Sequence, residues 1–447
     1  MNSLIHALRP FLTFASRGGA IALLLTVAAC QTAPETDVDA TTDATEDTTE
    51  APAAGDGGPF RLGTLLPLTG DLAQYGQTMQ DTATLFVDTV NTCGGVMGQD
   101  IELISEDDQT DPAAGSAGMT KLAEVDEVGA VIGAAGSAVS SAAVDIAVRN
   151  EVVQISPSST SPTFTERAAA GDFEGFWART APPDTFQGNA LAQLAQEQGF
   201  ESISILSINN DYGNGLIEAF IPAFEELGGT VVNGDNPAKY AENATTFDTE
   251  LQAAFADNPD AVLIVGYLET GSLILKSAYE LGLTGGDTQI LLTDGMKSDD
   301  LAGNVGQTPD GNFIATGVIG TAPSAGGPAI DDFNALYTER FDRDPNVFDP
   351  NTWDAAAVLT LAAEAAQSSD GAAIRDVLSD VSNAPGEPVS DVCEALELVR
   401  AGEDIDYQGA SGTVDFNAEG DVVGSYDVWT ITDDGSLEVL SVVNVEG

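Results

Sequence analysis

The sequence predicts an α/β protein of two doubly wound parallel-sheet lobes, and three observations lead there. From Phe60 onward, short apolar strands alternate with amphipathic helical runs, the pattern of repeated βαβ units. The series restarts near Ser202, after a complete first set. The body that carries both series has about 390 residues, long for one core and suited to two.

In the first series, Arg61 to Leu66 reads as a strand and Ala73 to Asn91 as a helix. Ile101 to Ser105 is a strand, about Ala113 to Val125 a helix, Ala130 to Gly133 a buried strand, Ala138 to Arg149 a helix, and Val152 to Ile155 a fourth strand. In the second, strand Ser202 to Ile208 precedes helix Gly213 to Leu227, and Thr230 to Asn233 is a short strand. Helix Thr246 to Ala256, strand Asp260 to Val265, helix Gly271 to Leu281 and strand Gln289 to Thr293 follow. Further on come a strand at Phe313 to Ile319, a helix at Pro328 to Phe341 and an Ala-rich helix from about Asn351 to Ala366. The C-terminal part carries β-like pieces at Thr413 to Phe416, Tyr426 to Ile431 and Leu437 to Val442. Ligands of doubly wound folds sit at the C-terminal ends of the strands, so the loops there are the candidate site.

The first 29 residues read as an export signal. Arg9 and Arg17 precede Gly18 to Ala29, an apolar run shorter than the ~18 residues a membrane-spanning helix needs. Val27-Ala28-Ala29-Cys30 resembles the cleavage site of bacterial lipoproteins, which makes Cys30 the expected site of lipidation and membrane anchoring. Residues 30–58 then form an expected acidic linker. It has eight acids, no Lys or Arg, and too little apolar surface to offset the entropy of ordering.

The formal net charge of −57 argues against nucleic acid or anionic lipid as surface partners and points to saline surroundings, where screening weakens self-repulsion. The only histidine is His6, inside the signal. The mature chain therefore lacks imidazole for acid–base catalysis, for Ser-His-Asp or Cys-His nucleophiles, and for nearly all zinc sites. The expectation is a protein that is not an enzyme and has no cofactor. Residues Asp342 to Trp353 begin like a calcium loop, but Val347 stands where glycine is needed and Trp353 where a bidentate acid is needed, so no metal is expected. Apart from Cys30, the cysteines are Cys93 and Cys393, 300 residues apart, and the sequence leaves open whether they pair.

Two loops carry small hydroxyl residues at strand ends. Gly133-Ala134-Ala135-Gly136-Ser137 joins a strand to a helix, where an anion can approach the first amides of the helix. The alternative is a glycine-rich turn capped by Ser137. Ser156-Pro157-Ser158-Ser159-Thr160-Ser161-Pro162 follows the next strand, either as a polar site loop or as a surface turn. Asp294 follows a buried strand, and Tyr75, Tyr212 and Tyr267 stand at strand–helix junctions.

Taken in order, these motifs resemble the periplasmic leucine/isoleucine/valine-binding proteins, the solute receptors of branched-chain amino-acid ABC importers. RLGTLLPLTGDLAQYG, NTCGGVMGQDIEL, VIGAAGSAVSSA, ISPSSTSP, NNDYGNGL, VGYLETG, LLTDGMKS and GASGTVDFNAEGD carry the likeness across almost the whole body. The resemblance implies a type I periplasmic-binding-protein fold with three hinge crossings, near 181–184, 320–322 and 408–412. Lobe 1 is then 59–181 with 321–409, and lobe 2 is 182–320 with 410–447. It also implies that Ser137, Ser158, Ser159 and Thr160 hold a ligand α-carboxylate. Asp294 is implied to pair with the α-ammonium where the family usually has Glu, and Tyr75, Tyr212 and Tyr267 to line the pocket. The implied protein is an exported, lipid-anchored monomer that delivers a small zwitterion, such as a branched-chain amino acid, to an ABC permease. Urea, short amides or aromatic acids are alternative ligands, and a ligand sensor without transport is an alternative role.

Overall fold

The computed structural model describes residues 58–445. The expected signal, Cys30 and the acidic linker up to residue 57 lie outside them. Five strands form the first sheet: β1 (Arg61–Leu66), β2 (Glu102–Asp107), β3 (Ala130–Gly133), β4 (Val153–Ser156) and β5 (Trp177–Arg179). All pair in parallel, in the order β2-β1-β3-β4-β5. β3 and β4 are buried along their whole length because helices cover both faces, which explains their unbroken lack of exposed polar residues.

The next strands are β6 (Ser202–Ile208), β7 (Thr230–Val231), β8 (Ala238–Tyr240), β9 (Ala261–Val265), β10 (Gln289–Leu292) and β11 (Ile319–Pro323). β12 (Glu387–Val389) and β13 (Ile405–Tyr407) form a separate parallel pair. β14 (Ser425–Ile431) and β15 (Leu437–Asn444) complete the second sheet, ordered β15-β14-β11-β10-β9-β6-β7 with β8 also beside β6. It is parallel from β7 to β11, then antiparallel at β14 and β15.

Each sheet has a point where the direction of winding reverses: between β1 and β3 in the first, and between β6 and β9 in the second. The loops leaving such neighbouring strands diverge and open a crevice at the sheet's carboxyl edge.

The first sheet is backed by helix Asp349–Ala366, which is buried on nearly every side, as its alanine-rich sequence permits. Three acids on it pin neighbouring segments. Asp349 accepts from Thr78 Oγ1 at 2.8 Å, Asp354 from the amides of Ala410 and Ser411 at 2.7 Å, and Glu364 from the amide of Met97 at 2.6 Å. Cys93, at the end of helix Ala73–Thr92, forms a disulfide with Cys393 on helix Val392–Ala401. The structure thus pairs the two cysteines that the sequence left open. No described helix is long and apolar enough to cross a membrane.

The sheets and cores put two lobe edges elsewhere than expected. Thr321 lies inside β11 of the second sheet, so the second connection begins after Pro323 rather than at 320–322. Val414, Phe416 and Val422 are packed in the first core, so the stretch after residue 410 stays with the first sheet until β14 begins at Ser425. The expected strand at 313–319 is a run of turns up to Val318, with Gly317 at φ +81° interrupting any extended run. The expected β piece at 413–416 is a loop, with Val414 at φ +58°.

Candidate functional site

A small cavity of about 30 Å³ lies where the two crevices face each other. It is lined by Leu72, Tyr75 and Met79 after β1, Ala135, Gly136 and Ser137 after β3, and Ser158 after β4. From the second sheet come Tyr212 after β6, Tyr267 after β9, and Asp294 and Gly295 after β10. Phe348 closes one side, its ring 6.4 Å from that of Tyr75 in an edge-on contact. Both sheets therefore present the ends of the strands flanking their winding reversal, where topology leaves room.

The first side of the cavity offers donors. Helix Ser137–Arg149 begins behind Gly136, which has no side chain to cap it, so the first-turn amides have no capping partner from that side chain. Ser158 Oγ donates to Ala135 O at 3.0 Å and holds the two loops together. A Cβ on Gly136 would stand 3.4 Å from Leu72 Cδ1 and 3.9 Å from Tyr267 Oη, so this turn has closely packed neighbours from both sheets.

The second side offers a carboxylate. Asp294 opens a short 3₁₀ turn after β10 and is 3% exposed. Tyr212 Oη donates to its Oδ1 at 2.7 Å. Tyr212 and Tyr267 stack with ring centroids 5.6 Å apart, and Tyr267 Oη accepts from Asn210 Nδ2 at 3.1 Å. Tyr75 Oη crosses between lobes to donate to Lys297 O at 3.1 Å.

Four of the expected residues (Tyr75, Tyr212, Tyr267 and Asp294) and two of the four expected hydroxyls (Ser137 and Ser158) thus face one cavity. Ser159 does not. Its Oγ lies 2.8 Å from Ser140 Oγ and within hydrogen-bond reach of the carbonyls of Ala134 and Ala135, so it knits the loop to the sheet. Thr160 is also off the cavity wall, buried beside Asp184.

Asp184 is the group that sequence reasoning missed. It opens helix Asp184–Glu197 immediately after the first connection and is fully buried. Neither carboxyl oxygen has a hydrogen-bond partner of good geometry among the described residues, although the nearby Thr160 hydroxyl works to lower its pKa. Burial, and then the charge of Asp294, push the Asp184 carboxyl well above the ordinary value. Burial also raises Asp294, against the hydrogen bonds of Tyr212 and Gln187. Two buried carboxyls in one electrostatic pair do not ionise together without a compensating cation. The only hint in the sequence was its place in Pro182-Pro183-Asp184, at the expected crossing.

Chemically, the cavity presents hydroxyls and helix-end amides on one side, a carboxylate within the electrostatic influence of a second on the other, and apolar and aromatic walls between. Among the described residues no group of three or more acids, histidines or cysteines is arranged to hold a metal ion.

Comparison with known proteins gives the same architecture. The sequence profile of the receptor family ligand binding region matches residues 78–434. The chemotactic signal transduction system substrate-binding protein BasB of Halobacterium salinarum is 28% identical over 85% of this chain and 88% of its own length. Leu/Ile/Val-binding protein homolog 3 of Brucella melitensis is 24% identical over 76% of this chain and 88% of its own. The crystal structure of the leucine-binding protein LivK from Thermotoga maritima superposes with a TM-score of 0.71 at 26% identity, covering 86% of this chain and 98% of LivK. A benzoate-bound solute-binding protein from R. palustris shares the fold, with a TM-score of 0.70 at 18% identity over 87% of this chain and 98% of its own. The chain belongs to the receptor family ligand binding region, has the type I periplasmic-binding-protein fold, and is similar to branched-chain amino-acid-binding proteins.

Proposed function

We propose that this protein is an exported, lipid-anchored receptor that captures a small zwitterion, of the branched-chain amino-acid type, between its two lobes. One observation carries the reading: Ser137 and Ser158 from the first sheet and Asp294 from the second line the same cavity. An α-carboxylate suits the Ser137 hydroxyl and the helix-end amides, the Ser158 proton being given to Ala135 O, and an α-ammonium suits Asp294, which lies within the electrostatic influence of Asp184. Leu72, Met79, Phe348 and the tyrosines provide walls for an apolar or aromatic side chain. A ligand held by both lobes favours the closed arrangement by its differential affinity, and a membrane partner can read that state. The groups offered by the cavity suit the binding and orientation of a small molecule, which supports a receptor's role.

The partner we favour is an ABC permease, reached from a tether at Cys30. A second reading keeps the ligand and changes the partner to a sensory protein, because BasB is named for chemotactic signal transduction. Mass spectrometry of small molecules released from the natively purified protein tests the ligand class. A zwitterionic amino acid is expected, and a benzoate or an uncharged amide would replace this reading. Uptake and chemotaxis assays on a deletion strain separate the two partners.

A further inference from the structure

We propose that Arg179 is the positioning residue of the 156–162 loop, clamping its backbone from behind so that the loop can receive an anion. The inference rests on the reading of this loop as the carboxylate side of the site.

Arg179 ends β5 and is completely buried. Its guanidinium is used in three directions. Nη1 donates to Ser159 O at 3.1 Å and to Ser161 O at 2.9 Å. Nη2 donates to Thr165 Oγ1 at 2.8 Å. Nε donates to Asp421 Oδ1 at 2.6 Å. Thr165 Oγ1 donates in turn to Asp421 Oδ2 at 2.7 Å, which closes a ring, and the Arg179 amide donates to Gly420 O at 2.9 Å.

Arg179 does not line the cavity, so it is not a ligand contact. Its hydrogen bonds hold the loop whose Ser158 lines the cavity, and its charge also works to lower the pKa of Asp184. A carbonyl turned toward a bound anion repels it, and this loop has two of its carbonyls committed to a cation on the far side. The guanidinium suits the task because its rigid planar fork serves several acceptors at once, which a lysine ammonium on a flexible stem does not. Losing the cation would leave Asp421 and two carbonyls buried without their partner, so the arrangement is held firmly. The other side of the loop is held as closely. A Cβ on Gly215, in helix Asp211–Glu226, would fall 2.6 Å from Pro162 Cδ and 2.8 Å from Ser161 Oγ. Arg179 and Asp421 also precede the first and third connections between the sheets, so the clamp ties the anion loop to the segments that join the lobes.

The test uses the mature protein and the variants Arg179→Lys, Arg179→Met with Asp421→Asn, and Asp421→Asn alone. Hydrogen–deuterium exchange without added ligand reports the loop, and calorimetry with L-leucine and with benzoate, well below each variant's Tm, reports the site. Arg179→Lys and the double variant are expected to raise exchange in residues 157–163 at least roughly tenfold, with β1 and β3 unchanged. They are expected to weaken whichever probe binds by at least about tenfold, since both probes share the carboxylate. A lower global stability alone does not change the affinity of molecules that remain folded. Asp421→Asn alone keeps the carbonyl contacts and should change both readouts less. Unchanged loop exchange in Arg179→Lys and the double variant overturns the clamp, as does unchanged affinity. If the wild type binds neither probe, the ligand reading fails, and the exchange result alone decides the role of Arg179.

Discussion

Tyr212 donates a 2.7 Å hydrogen bond to Asp294 Oδ1, while Thr293 Oγ1 lies 2.7 Å from the same phenol oxygen. A phenol has one proton, so Thr293 is the donor to Tyr212 when Tyr212 donates to Asp294. This chain fixes the Asp294 carboxyl at the cavity wall before any ligand arrives. Asp294→Ala is expected to weaken amino-acid binding by about 2 to 5 kcal/mol, since the ligand ammonium loses its buried partner. Calorimetry measures it, and a loss under about tenfold contradicts the role given to Asp294.

Asp184 should behave differently. Its carboxyl is fully buried without a well-formed hydrogen bond, so it costs stability whenever it is ionised. Asp184→Asn is expected to raise the Tm of the ligand-free protein by a few degrees and to weaken the binding of an ammonium-bearing ligand. A lower Tm together with unchanged affinity would show that the carboxylate is structural.

Stability without ligand should fall as pH rises from about 4 to about 7. Asp108 and Asp349 are pushed up to about 7 and Asp354 to about 6, in each case chiefly by burial, from an ordinary value of 3.8. The unfolded chain releases these protons near the ordinary value, whereas the folded chain keeps them until pH 6 to 7. The folded state therefore binds more protons in that window, and its advantage is lost as pH climbs through the folded values. Asp349→Asn should flatten the profile, as shown by Tm measured across the window. A stability that increases steadily toward neutral pH would contradict this.

The net charge of −57 over the whole chain, most of it carried by the folded body, makes repulsion there a permanent cost. Raising KCl into the molar range is expected to raise Tm, because screening at about 1 M salt shortens the reach of each charge to about 3 Å. A Tm indifferent to salt would remove the argument for saline surroundings.

Much of this was legible in the sequence because winding and site share one cause. Gly, Ser and Asp punctuate the strand ends and mark the loops, while the family resemblance assigned Ser137, Ser158, Tyr212, Tyr267 and Asp294 to the site. Strand-and-helix periodicity does not reveal which residues from distant stretches meet. Asp184 was marked only by the expected crossing at 181–184, yet it begins a helix and folding buries it within the influence of Asp294, 110 residues on. Phe348 could be seen only as part of a failed calcium loop, although it is a cavity wall. The lobe edges moved because β11 runs on to Pro323 and because Val414, Phe416 and Val422 pack in the first core, which apolar periodicity does not report. Phe313 to Ile319 was apolar enough to pass for a strand, but Gly317 bends it.

The central claim is that one cavity recognises both ends of a zwitterion. The direct measurement is a calorimetric titration of the mature protein with L-leucine, L-leucinamide and isocaproate, which keep both charges, only the ammonium, and only the carboxylate. The account predicts that L-leucine binds and that removing either charge weakens binding by at least roughly a hundredfold, or about 2.7 kcal/mol. Equal binding of isocaproate or leucinamide would contradict it.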